Sequence, residues 1–242
     1  MKTIIYGKRN IKELLSDPIS LVFTIGLPAF LLLFMVTFNK SLQVNKAFDV
    51  ENFVPSTIIF SFTFLTMFSG MLIAKDRSSE FLSRMYISPL KAHNYILGYI
   101  WPSLIIALIQ VLLLYGIGFI LGMKFSIHIL ISIPFLLMIA MLFIGLGLIF
   151  GSFLKDTQVG GITSILIQVV AFTSGMWFSL DLVGETFRFI SQLMPFSHSV
   201  DFVRLIIVGN YKEIWIPLSV VIGYVVVSVL TAIFSFKKHM KN

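Results

Sequence analysis

The sequence predicts an all-α membrane protein. It should hold six transmembrane helices, an N-terminal amphipathic interfacial helix, a short charged cytoplasmic helix, and an outer re-entrant helical hairpin between spans five and six. Three observations carry this: composition, the length of the apolar runs, and the placement of charge. Of 242 residues, 57% are hydrophobic and 12% are charged, where a soluble domain carries about 25% charged residues. Mean hydropathy is +0.97. A core cannot absorb that much apolar surface and leave a soluble exterior, so the solvent is lipid.

A spanning helix needs roughly 20 apolar residues. Six runs qualify, at 19–38, 54–74, 97–121, 128–150, 159–180 and 214–236. Six crossings put both termini on one side. The positive-inside rule chooses the side. With the termini inside, the inner segments hold the whole net charge of +7 and the outer segments sum to zero. The basic excess, with its pI near 9.6, is therefore cytoplasmic loop bias and not a nucleic-acid surface. The basic start resembles a signal peptide, but its apolar run is as long as a span and no small-x-small cleavage site follows.

The elements follow in order. Residues 1–17 place Ile4, Ile11, Leu14 and Leu15 on one helical face, with Lys8, Arg9 and Lys12 elsewhere, as an interfacial helix does. Ser16-Asp17-Pro18 ends it: Asp17 can cap the next helix and Pro18 can start it. Pro28 should kink the first span. Between spans two and three, residues 75–96 pack charges between two apolar runs, which suits a cytoplasmic helix that a soluble partner can push. Spans two and five carry most of the intramembrane hydroxyls and amides. Ser61, Phe64, Thr66, Phe68, Thr163, Gln168 and Thr173 form a mildly polar, aromatic set, either a pathway for an amphiphile or hydrogen-bonding helix contacts. Gly118/Gly122 and Gly147/Gly151 are small-xxx-small pairs fit for close packing.

Residues 179–213 are too apolar for a plain loop. Leu182, Val183, Phe187, Phe189, Ile190, Leu193 and Met194 precede Pro195, Ser197 can cap a second short helix, and Gly209-Asn210 stops it. Two short helices dipping into the outer leaflet make a candidate gate around Pro195, Asp201 and Arg204; a surface hairpin without a gating role is the other reading.

The residues exclude several chemistries. Cysteine is absent, which removes disulfides, thiolate metal sites and cysteine nucleophiles. The four histidines lie on separate segments without ligand spacing. No HExxH, GxSxG or GxxxxGK[ST] occurs. The reading is a chain with no catalytic residue, no metal site and no cofactor of its own. The spans lack the intramembrane acids that ion-coupled transport needs. Any energy must then come from another polypeptide through a cytoplasmic contact.

In order and spacing these features resemble the permease subunits of ABC-2 type transporters, over nearly the whole chain. The pieces are the basic start, Ser16-Asp17-Pro18, Pro28, the loop Asp76-Arg77…Leu82…Ser88-Pro89-Leu90, Leu97-Gly98-Tyr99, the short loop at 152–159, Met194-Pro195-Phe196-Ser197 and Asp201-Phe202-Val203-Arg204. Asp76-Arg77 stands where that family usually has Glu-Arg, and Glu80-Phe81 where it has Gly-Thr. The resemblance implies that the first inner loop is a coupling helix docking on a separate ABC ATPase subunit, present in two copies, where ATP and Mg2+ bind. Asp76, Arg77, Glu80, Phe81, Leu82, Arg84, Met85 and Pro89 are its coupling residues, with Phe81, Leu82 and Met85 suited to an apolar cleft and Arg77, Glu80 and Arg84 to its rim. It also implies a second permease, identical or related, and export of an amphiphile (drug, peptide, lipid or glycan) across a bacterial cytoplasmic membrane. A non-translocating scaffold, immunity or sensor subunit is the alternative.

Overall fold

The computed structural model describes residues 2–15, 18, 22–79 and 92–239, all in helices and their connecting turns. Helix α1 (Lys2–Leu15) comes first. A π-helical turn (Val22–Gly26) runs into α2 (Leu27–Leu42). Then come α3 (Val50–Ser78), α4 (Ala92–Ile120), α5 (Ile127–Phe153), α6 (Asp156–Thr173), α7 (Glu185–Gln192), α8 (Pro195–Val208) and α9 (Trp215–His239). No strand occurs among the described residues.

Among the described residues five segments are long and apolar enough to cross a membrane: Val22–Leu42, Val50–Ser78, Ile96–Ile120, Ile127–Phe153 and Trp215–Ser235. They coincide with the expected spans one, two, three, four and six. The expected fifth span, 159–180, falls on α6, which begins with the polar Asp156, Thr157 and Gln158 and ends at Thr173. The chain turns at Gly175, whose φ of +71° favours glycine. Apolar sequence continues past the turn because those side chains pack at the end of the bundle. Met176 is fully buried, and the Trp177 ring packs against Phe48 and Phe53.

Helix α3 is the axis. Of its apolar window 89% is buried, against 28% for the first span and 22% for α9. It packs on α5, α6, α4 and α2, while α9 and α8 pack on α5. On α2, Phe30, Phe34 and Phe38 stack in an exposed row with centroids 5.8 and 5.9 Å apart, as a lipid-facing stripe does. A close backbone crossing joins α3 to α5. A Cβ built on Gly70 would lie 3.0 Å from the Gly147 carbonyl oxygen. The Gly147/Gly151 pair thus makes a backbone contact, whereas Gly118 faces Val54 and Gly122 forms a turn with φ +97°.

Two sequence expectations change in detail. The irregularity expected at Pro28 is the π turn before it. Pro28 itself sits in the first turn of α2, where its missing N–H matters least. The α4 side chain Gln110 donates to the Thr24 carbonyl inside the π turn, 3.0 Å, and to the Ser61 carbonyl, 3.1 Å. Ser197 is not the cap of α8: Met194 holds that position, and the Ser197 hydroxyl donates to the Ser191 carbonyl, 2.9 Å. Ser16 and Asp17 lie outside the described residues, as do the side chains of Ile4, Leu14 and Leu15.

Candidate functional site

The antiparallel helices gather their loops at two ends. One end holds α1, the end of α3, the start of α4 and the α5–α6 turn. The other holds residues 43–49, the α4–α5 turn and the α7–α8 hairpin.

At the first end Asp76 is buried, 1% exposed. It accepts three strong donors: Arg9 Nη2 at 2.6 Å, Arg9 Nη1 at 2.9 Å and the Tyr99 hydroxyl at 2.8 Å. Arg9 also pairs with Glu13, 2.9 Å, one turn along α1, and Glu13 takes Lys75, 2.7 Å. Among the described residues two cations and two anions alternate along this network. Asn10, fully buried, donates to the Gly98 carbonyl of α4, 2.9 Å. Gly7 makes room for Trp101, because a Cβ there would sit 3.1 Å from the indole. Helix α1 is thereby clamped to α3 and α4.

Arg77 points the other way. Its guanidinium donates to the Ser152 carbonyl and, at 2.6 Å, to the Leu154 carbonyl. These carbonyls close α5, where no intrahelical N–H reaches them and the helix dipole is negative. Asp76 and Arg77 therefore anchor the base of the loop to α1, α4 and α5. The other expected coupling residues, Glu80, Phe81, Leu82, Arg84, Met85 and Pro89, lie outside the described residues.

The expected pathway set divides. Ser61, Phe64, Thr66 and Phe68 are buried within the packed bundle. The hydroxyls of α3 mostly bond back along their own helix: Ser61 to the Ile58 carbonyl, 2.7 Å, and Ser69 to that of Leu65, 2.6 Å. Thr66 instead donates to the Phe143 carbonyl of α5, 2.8 Å. On α6, Thr163 and Thr173 are buried; Thr173 bonds the Val169 carbonyl, while the Thr163 hydroxyl has no partner among the described residues. Gln168 lies on the open face with Gly161, Ser164, Ile165 and Phe172. The structure thus brings the α3 members together and leaves Gln168 apart from them.

At the second end Pro195 is buried at the start of α8, and Met194 before it is extended, φ −96° and ψ 152°, the conformation proline imposes on its predecessor. Phe202 packs edge-on to Phe135 of α5, and the Tyr224 hydroxyl of α9 holds the Leu193 carbonyl, 2.6 Å. Arg204 crosses to α3, donating to Ser56 Oγ at 2.8 Å and to the Asn52 carbonyl at 3.1 Å. A cavity of about 330 Å³ opens beside it, with Lys46, Ser174, Asp181, Arg188 and Asp201 in its lining. Arg188 and Asp181 pair at 2.6 Å.

The Asp201 carboxyl opens into this cavity, yet the surrounding protein desolvates it. Desolvation pushes it above the usual carboxylate range, and Arg204 and His198 pull it partly back. A carboxyl raised in the folded state stabilises the fold when protonated and loses that contribution as pH rises through the folded value. Asp201→Asn is accordingly expected to equal or exceed the wild type in Tm at neutral pH. The difference should close near pH ~3, below the ordinary carboxylate value. Thermal unfolding at the two pH values checks this, and a Tm loss at neutral pH would contradict it.

The sequence reading missed Arg9, Glu13 and Tyr99. Arg9 and Glu13 are an i,i+4 pair, legible as a helix salt bridge, but nothing in a single sequence joins them to Asp76.

The sequence has counterparts among known proteins. The profile of the ABC-2 type transporter family matches residues 1–208. The chain belongs to the ABC-2 type transporter family. A relative from Bacillus subtilis (strain 168), named "Putative transport permease YvfS", is 20% identical over 192 residues, 78% of each chain. This ABC-2 permease is a multi-pass membrane protein of a transport system whose family works with an ATPase partner.

Proposed function

We propose that the permease is the membrane subunit of an ATP-driven exporter in a bacterial cytoplasmic membrane, moving an amphiphile with energy from two copies of a separate ATPase. The observation that carries this is the anchoring of residues 80–91. They join the central helix α3 to α4, and their base is tied by Asp76 and Arg77 to α1 and α5. Force applied to that loop reaches four helices through ion pairs and carbonyl bonds. The chain itself performs no catalysis in this reading; ATP and Mg2+ belong to the partner.

Helix α6 completes six crossings. Its 18 residues extend about 27 Å at 1.5 Å each, close to the ~30 Å hydrocarbon core. Both termini and the 75–96 loop are then cytoplasmic, where the excess of Lys and Arg lies, and the α7–α8 hairpin is the outer gate, with Pro195 setting the angle between its helices. The open face of α6, with Gly161, Ser164 and Gln168, meets a second permease, because small and hydroxyl side chains let helices approach in lipid.

The test is co-purification with the ATPase. Phe81→Asp/Met85→Asp should insert normally and lose the ATPase, since truncating one anchor in a small docking site costs about 1–2 kcal/mol or more. Undiminished co-purification would remove the loop from the docking role.

A further inference from the structure

The cavity at the hairpin end holds charged groups that the fold leaves unmatched. Arg188 and Asp181 satisfy one another. Arg204 is held by Ser56 and by carbonyl oxygens through Nε and Nη2, and among the described residues no carboxylate pairs with it and nothing accepts from Nη1. Asp201 stands one helical turn before Arg204 and likewise makes no hydrogen bond or ion pair among the described residues. Lys46 lines the same cavity. Ser174, 2% exposed, borders the same space, and its hydroxyl has no partner among the described residues. A buried hydroxyl without a partner is a cost that a ligand can remove.

The space is at the small end of ligand pockets, about 300–1,000 Å³, so it fits a polar group and not a whole amphiphile. A neighbouring crevice of about 620 Å³ shares Asp201 and Arg204 as a common wall and is bordered by Trp215, Ile216 and Pro217 at the start of α9. Trp215 and Ile216 are 68% and 72% exposed. An apolar tail leaving the polar cavity past Asp201 would lie there.

We propose that the cavity bounded by Lys46, Ser174, Asp201 and Arg204 binds a phosphate–ammonium zwitterion, the group found in ethanolamine phospholipids and in free phosphoethanolamine. The phosphate lies between Arg204 Nη1 and Lys46, with Ser174 donating to it, and the ammonium sits at the Asp201 carboxylate two carbons away. A simple anion would leave Asp201 facing it, and a simple cation would meet Arg204 and Lys46; only a ligand with both charges satisfies both sides. The site stands on one chain and needs neither the ATPase nor the transport reading.

The test uses the purified full-length permease in detergent, titrated with dihexanoyl phosphatidylethanolamine, dihexanoyl phosphatidylglycerol and phosphoethanolamine. Binding is followed by native mass spectrometry and thermal unfolding. The ethanolamine lipid should bind about ten-fold more tightly than the glycerol lipid, the scale of one charge-assisted hydrogen bond. Asp201→Asn should erase that preference without lowering the Tm, and Lys46→Glu should weaken both lipids. If phosphoethanolamine binds as tightly as the lipid, the proposal stands with a soluble ligand as its source; weaker binding assigns the lipid. Equal affinity for the two lipids, an Asp201→Asn protein that keeps the preference, or no binding of any probe would overturn it. Loss of ATPase co-purification leaves all of these readouts intact, so the two proposals fail separately.

Discussion

Gly147→Val is expected to leave almost no monodisperse permease after extraction from the membrane. A Cβ at position 147 would lie 2.5 Å from the Thr66 carbonyl oxygen, 3.1 Å from the Gly70 amide nitrogen and closer still to the Ser69 hydroxyl. The hydroxyl can rotate away, but the carbonyl and amide are backbone of the central helix. Relief requires α3 and α5 to separate, and α3 also carries α4 and α6. Overpacking costs about 1–3 kcal/mol in compliant cores; two helix backbones in contact are less compliant, so about 3 kcal/mol or more is expected. Gly151→Val should behave alike, since its Cβ would meet the Gly70 carbonyl. Gly223→Ala is the control. Nothing lies within 4 Å of its Cβ, and alanine in a helix is worth about 0.5–1 kcal/mol over glycine. Fluorescence-detected size exclusion compares the three, and a Gly147→Val protein that elutes like wild type would refute the backbone contact.

The same contact marks what a single sequence makes legible. Gly147 and Gly151 stand out as a pair, but their partner Gly70 does not, because helix pairing is a property of the tertiary fold. Span lengths were legible because lipid imposes a narrow range of apolar run lengths. The fifth run was overextended because Met176, buried, and Trp177, half-buried at the bundle end, have the same composition as residues in lipid. The hydroxyls of α3 had two readings, pathway or helix contact. A serine bonded to its own helix carbonyl, like Ser61, costs little anywhere in a buried helix. Asp201 and Arg204 were legible as members of a candidate gate, but the cavity they share was not, because its other walls come from residues 45–52 and 174–192. The clamp at Asp76 was invisible, since its donors come from 67 residues before it and 23 after it in the chain.

Arg9→Ala should destabilise the permease by about 3 kcal/mol, the lower part of the range for stripping one partner from a buried ion pair. The lower part applies because Arg9 is itself 36% exposed on its side chain and Tyr99 would still donate to Asp76. The damage should be larger than the pair's own worth. Asp76 then keeps its buried charge without the two-pronged guanidinium, and Glu13 loses the nearer cation of α1 while keeping Lys75. Neutralising the acid as well should therefore recover much of the loss: Arg9→Ala/Asp76→Asn is expected to be more stable than Arg9→Ala by 1 kcal/mol or more (the scale of coupling within one ion-pair network). Thermal unfolding of the four members of this cycle gives the coupling energy directly. Arg9→Lys separates stability from transmission, because lysine keeps the charge but not the two-pronged grip on both Asp76 oxygens. If the anchored loop base carries motion from the ATPase to the helices, Arg9→Lys should retain ATPase binding and lose a larger share of transport than of ATP hydrolysis. Additive Tm losses across the cycle would reduce the cluster to independent surface contacts, and equal losses of transport and hydrolysis in Arg9→Lys would confine its role to folding. The proposal for residues 80–91 predicts neither result, because a loop pushed by a partner moves the bundle only if its base is rigidly attached, and the Arg9 grip on Asp76 is the attachment to α1.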